Sequence, residues 1–195
     1  QFHPTVAIRL TVPRNSNVKA GAYAFVTHHW TFKGLREESR LVTLCATIGS
    51  NEYLSEDLSE ELLTNAARHG AFIQNISNLL DMNTIIKSTE AIDDTLNCRF
   101  ANSEQDFKND NENRCNIQEK SAREYADRRI ENISRQIHNF EAQGKENIAQ
   151  MHRGKLENTR RRMNFSMKDI EKKRIIDSSL EPLAVGIIKI GRAHV

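Results

Sequence analysis

A long charged run, from about Lys87 to Ser178, constrains this chain more than any other feature. Its apolar residues recur at helical spacing. Beyond Arg114 they fall at Cys115, Ala122, Ala126, Ile130, Ile133, Ile137 and Phe140. Steps of seven, four and three put all of them on one stripe of a helix. A second stripe follows at Ile148, Leu156, Met163, Met167 and Ile170, with Gln143-Gly144 between the two. Two narrow stripes joined by a short glycine-containing connection predict an antiparallel coiled-coil hairpin. The second arm, about 34 residues, spans roughly 50 Å at 1.5 Å per residue, so it covers only the distal part of the first.

The proximal part of the first arm carries its own stripe, Ile92, Leu96, Phe100 and Phe107. These residues are left to pack on a sheet or on domains outside this sequence. Between the two stripes of this arm lies Lys108-Asn-Asp-Asn-Glu-Asn-Arg114. Asparagine and aspartate compete for backbone hydrogen bonds and weaken helices, so the segment predicts fraying, a kink or a stutter.

Ahead of the hairpin, Thr5–Val12 alternates apolar and polar residues as a half-buried strand does. Pro13 and Asn15-Ser16-Asn17 read as a turn. Ala22–Lys33 is rich in aromatic and β-branched residues, and Leu41–Ile48 makes a third strand. Short connections between the three predict an antiparallel meander. Ser59-Glu60-Glu61 opens a helix that buries Leu62, Leu63, Ala66 and Ala67 and closes at a left-handed Gly70. Phe72–Leu80 reads as a short helix or an irregular link. After the hairpin, Pro182 blocks further helix and Leu183–Ile190 is a strand that needs a partner sheet.

The fold class expected is therefore α+β. A small antiparallel sheet with short helices occupies 1–86, the hairpin 87–178, and a returning strand 179–190. The chain opens on Gln1, and its final six residues, Ile190-Gly-Arg-Ala-His-Val195, resemble a translated sequencing adapter, so a fragment with a non-native tail at 191–195 is expected.

Composition narrows the function classes. The charged fraction of 28% against 38% hydrophobic suits a solvated hairpin, and a net charge of +2 creates no global field for nucleic acid. The charge is unevenly spread: residues 145–178 hold ten basic and five acidic side chains, whereas 87–144 hold nine and twelve. Three cysteines, Cys45, Cys98 and Cys115, lack metal-ligand spacing and suggest reduced thiols in a cytoplasmic protein. No apolar run approaches the ~20 residues of a membrane span, so no membrane partner is expected.

His28-His29-Trp30 is the most conspicuous cluster. Neighbouring strand residues point to opposite faces, so the two histidines do not share a metal, and Trp30 reads as a core or interface anchor. Arg161, Lys168 and Lys172 line the side of the second arm opposite its apolar stripe, with Phe165 among them as a further interface anchor. That face has two readings: it tracks a phosphate backbone, or it is a solvated face that pairs with the acidic first arm. No catalytic, cofactor-binding or metal-binding set is identified.

One resemblance adds to this. Gly21-Ala-Tyr-Ala-Phe-Val-Thr-His-His-Trp30, then Phe32-Lys-Gly-Leu-Arg-Glu-Glu38, a strand, and Leu58-Ser-Glu-Glu-Leu-Leu63 resemble a segment that follows the motor in bacterial Swi/Snf-type helicases (superfamily two, RapA-like). The likeness runs on through the hairpin to Leu183-Ala-Val-Gly-Ile-Ile-Lys189 and spans most of residues 5–190. It implies a non-catalytic C-terminal accessory module of a helicase-like ATPase. The partners it implies are upstream motor domains, double-stranded DNA or a protein. ATP and Mg would belong to the parent motor, whose motifs this sequence lacks, and none to this segment. A stand-alone protein-interaction or dimerisation module is the alternative.

Overall fold

The computed structural model describes residues 6–12, 18–73 and 81–192. The chain is mixed helix and strand, an α+β fold. Its elements are β1 (Val6–Val12), β2 (Gly21–Lys33), β3 (Glu37–Thr47), α1 (Glu56–His69), β4 (Ala71–Phe72), α2 (Met82–Ala142), α3 (Glu146–Arg174) and β5 (Asp177–Arg192). The turn expected at 13–17 and most of the link at 72–80 lie outside the described residues. Two compact units divide the chain: Gln1–Thr31 with Glu38–Glu104 and Ser178–Val195, and Phe32–Glu37 with Gln105–Asp177. The boundary between the two units falls inside α2.

The first unit is built on a five-stranded sheet in the order β3-β2-β5-β1-β4. β2 and β3 form an antiparallel hairpin: the Ile48 N–H donates to the Ala22 carbonyl at 2.9 Å, and Thr27 Oγ1 lies 2.9 Å from Thr43 Oγ1. The expected meander does not form, because β5 separates β1 from β2. β5 runs parallel to β1, from Val6↔Gly186 to Val12↔Arg192, so the sheet is mixed. The reason is burial. Val185, Gly186, Ile187 and Ile188 are all buried, a continuous run that only a central strand covered on both faces satisfies.

Alternation along the strands assigns the two faces. Ile8, Leu10, Tyr23, Phe25, Cys45, Ile188 and Ile190 meet Leu62 and Ala66 of α1. The other face takes the first turns of α2: Trp30 meets Phe100 edge-on at 5.5 Å, and His28 Nε2 lies 2.8 Å from Asp93 Oδ1. The proximal stripe of the long helix therefore packs on the sheet, with Ile92 and Leu96 fully buried.

Helix α1 begins earlier than Ser59. Ser55 caps it by accepting from the Leu58 N–H, and Ser59 is buried, its Oγ accepting from the Cys45 N–H at 3.0 Å. Ala67 is exposed. Gly70 is extended (φ −79°) rather than left-handed. A Cβ there would stand 2.1 Å from Ile8 Cγ2 and 2.3 Å from the Ala66 carbonyl oxygen, so close approach accounts for the glycine. Asp81 starts α2 by accepting from the N–H and hydroxyl of Thr84, and these bonds hold its carboxyl below the usual aspartate range.

The second unit is the helical hairpin with the tip of the β2–β3 turn. Gly144, at φ +67°, makes the reversal between α2 and α3. Cys115, Ala126 and Ile133 of α2 are buried, as are Ala149, His152 and Ile170 of α3. On α3 the stripe starts at Ala149 and His152, not at Ile148, which is exposed. His152 sits over the Phe140 ring, 5.2 Å between centroids, and supplies the bulk that an aliphatic residue supplies elsewhere.

The polar segment 108–114 does not break α2, which is helical throughout. Its side chains find partners outside their own backbone. Asn111, 2% exposed, accepts from the Leu35 N–H at 2.7 Å and donates to the carbonyls of Lys173 at 3.0 Å and Arg174 at 3.2 Å. Those carbonyls belong to the last turn of α3 and have no helical partner of their own. Gly34 lets the turn come close, since a Cβ there would lie 2.5 Å from Asn111 Oδ1. Asp110 pairs with Arg36 at 3.0 Å and Arg114 at 2.7 Å.

Replacing Asn111 by Ala strands a buried N–H and frees two carbonyls, so the loss of stability should be about 2–4 kcal/mol in chemical denaturation. A loss below about 0.5 kcal/mol would show that water replaces these bonds without cost.

Candidate functional site

The two histidines of the His28-His29-Trp30 cluster face opposite ways, as strand geometry requires. His28 is fully buried against Asp93, which also accepts from Asn97 Nδ2 at 3.1 Å. His29 lies at the surface, with Nε2 2.6 Å from Ser39 Oγ. Trp30 is a core residue of the first unit, 2% exposed, with the Arg40 guanidinium 4.9 Å from its ring centroid. No group of three or more potential metal ligands occurs among the described residues. No described helix is long and apolar enough to cross a membrane.

The cysteines differ in reactivity. Burial pushes the Cys45 thiol up to about 12. Burial also raises Cys115, where nearby Arg174 acts in the opposite direction. Cys98 is exposed.

Charge on α3 is distributed in a definite way. At its start, Arg153 pairs with Glu141 of α2 and, at 2.7 Å, with Glu146. At its end, Arg174 reaches back to α2, pairing with Glu112 and with Glu119 at 2.9 Å, and donates to Asn116 at 2.8 Å. The basic second arm does therefore pair with the acidic first arm, but through two arginines at the ends of the helix. The face singled out in the sequence does not join this pairing. Arg161, Lys168 and Lys172 are exposed and lie opposite the apolar stripe, with Phe165 76% exposed among them. Arg161 has one partner, Glu157 of its own helix, at 3.4 Å. Lys168 and Lys172 have no ion-pair partner among the described residues.

A second cationic surface was not recognised from the sequence. Between α2 and α3, midway along the hairpin, a cavity of about 400 Å³ is lined by Arg129, Lys155 and Arg162. Ala122, Ala126 and Met163 make its apolar floor, and the other contributors are uncharged. Arg129 Nη1 donates to Tyr125 Oη at 3.0 Å, which holds the tyrosine at the rim. None of the three cations has an ion-pair partner among the described residues. The signal was present in the sequence as a row without acids. Gln118, Ala122, Tyr125, Arg129, Asn132 and Gln136 follow one edge of the α2 stripe, and Lys155, Thr159, Arg162 and Ser166 follow one edge of the α3 stripe.

The chain matches no protein-family model, and no curated protein matches it.

With native protein near pH 8, a thiol reagent should modify Cys98 at once and leave Cys45 and Cys115 intact, all three reacting after denaturation. Rapid labelling of Cys45 in the folded chain would contradict its placement under α1.

Proposed function

We propose that this chain is an accessory, contact-making module of a helicase-like, nucleic-acid-dependent ATPase, and that its hairpin touches duplex DNA. The observation that carries this reading is the face of α3 formed by Arg161, Lys168 and Lys172. It is solvent-exposed, faces away from the helix pair, and includes two lysines without a carboxylate partner among the described residues. Side chains on one helical face at steps of seven and four suit the phosphates of a duplex, which bind by charge and not by sequence. The order of strands, helix, hairpin and returning strand supports the same reading through its resemblance to the region after the motor of Swi/Snf-type helicases. On this reading ATP and Mg are handled by the motor, the module works in the cytoplasm, and its own role is to hold DNA or brace the motor.

A second reading rests on Phe165. A phenylalanine this exposed, set among cations, also suits a protein partner or a second copy of the chain.

Substituting Gln for Arg161, Lys168 and Lys172 together should flatten the plot of log affinity against log salt for a short duplex. The slope should fall by about 2 to 3, since each lost phosphate contact is worth about 0.9. An unchanged slope removes this face from the DNA site. If Phe165→Ala then abolishes a concentration-dependent rise in mass, the interaction reading takes its place.

A further inference from the structure

Antiparallel helix pairs ordinarily set opposite charges across the seam beside their apolar stripe. Here both ends of the seam obey that rule, through Arg153 with Glu141 and Arg174 with Glu112 and Glu119. The middle breaks it. Arg129 from α2 faces Lys155 and Arg162 from α3 around one cavity, and no carboxylate lines it. The three side chains are exposed and so stay hydrated, but they converge on one concave, partly apolar space, which makes the potential there positive. An anion placed there finds all three cations within one space.

The cavity also has the form of a small-molecule site. Its volume of about 400 Å³ lies within the roughly 300–1,000 Å³ typical of such sites. Ala126 and Met163 offer an apolar floor, and Tyr125, 61% exposed, offers a ring face at the rim. Inorganic phosphate would leave the floor uncovered. A phosphate-bearing molecule with a flat apolar body uses both halves: guanidinium and ammonium groups take the phosphates, and the ring and floor take the body.

We propose that the cavity between α2 and α3 is a binding site for a nucleoside polyphosphate, held by Arg129, Lys155 and Arg162 and stacked against Tyr125. This goes beyond the duplex contact proposed above and does not rest on it, because the groove residues follow a different face of α3 from Arg161, Lys168 and Lys172.

The test is calorimetric titration of the full chain with ADP in the absence of divalent cations, beside adenosine, pyrophosphate, a glutamate-rich peptide and a short duplex. ADP should saturate one site, with adenosine and pyrophosphate each at least about tenfold weaker. Lys155→Gln with Arg162→Gln should weaken ADP by about tenfold or more while the protein melts close to wild type, because both side chains are exposed and neither has an ion-pair partner among the described residues. Tyr125→Ala should weaken ADP and leave pyrophosphate unchanged. The proposal is overturned if millimolar ADP gives no saturation, if the double variant binds ADP as well as wild type does, or if pyrophosphate equals ADP. It is also overturned if the peptide or the duplex, and not ADP, is the species whose binding the double variant abolishes.

Discussion

The structure depends on where β5 sits. The last strand lies between β1 and β2, and its register with β1 joins opposite ends of the chain, Ile8 to Ile188. Without β5 the β2–β3 hairpin and the β1–β4 pair share no hydrogen bonds, and Ile187 and Ile188 lose cover on both faces. The sheet is therefore completed by a contact between opposite ends of the chain. Contacts of such sequence separation form slowly compared with a helix and its neighbour across a short turn. The local elements, α2, α3 and the turn at Gly144, are the ones the chain can form without waiting.

Asn111 acts where the chain leaves α3, shortly before β5 begins. A one-residue slip of β5 would turn Ile188 and Ile190 away from α1 and put Ile187 there instead. Asn111 binds the last carbonyls of α3, those of Lys173 and Arg174, and Arg174 ties the same turn to Glu112 and Glu119. A polar cluster at the C-terminal end of a helix also suits the dipole there, since a donor amide meets unpaired carbonyls. The segment that reads as a weak point in the helix is the clamp that ends its partner.

This explains which parts were legible in the sequence. The helix pair was, because stripes at Cys115, Ala126 and Ile133 depend on period alone. So were the three N-terminal strands and the opposite orientations of His28 and His29. The position of β5 was not: a run such as Val185–Ile188 says that a strand is central, but not between which neighbours. The continuity of α2 through Asn109–Asn113 was hidden because the partners of Asn111 come from Leu35, Lys173 and Arg174, distant in sequence. At α3 the apolar pattern pointed to Ile148, while the buried residues are Ala149 and His152. An imidazole packed on Phe140 carries no apolar signature. The cationic face at Arg161, Lys168 and Lys172 was legible as a face; the groove at Arg129, Lys155 and Arg162 was not, because it needs two helices to exist.

The two cationic surfaces of the hairpin differ in a way that bears on their chemistry. The outer face of α3 is convex and bathed in water, so each charge there is screened over about 8–10 Å and is worth little by itself. Only a long, regularly charged partner gains from it, because many weak contacts add. The groove is concave, floored by Ala126 and Met163, and its three charges share one space. Their side chains are exposed, as those of the outer face are, so what sets them apart is convergence on one space and not burial. A helix pair free of other demands would place a glutamate at one of these positions, as it does at Glu119 and Glu141. The seam instead leaves cations unpaired at its centre while pairing them at both ends. That arrangement leaves a concave, positively charged space with an apolar floor, which suits an anion with an apolar body.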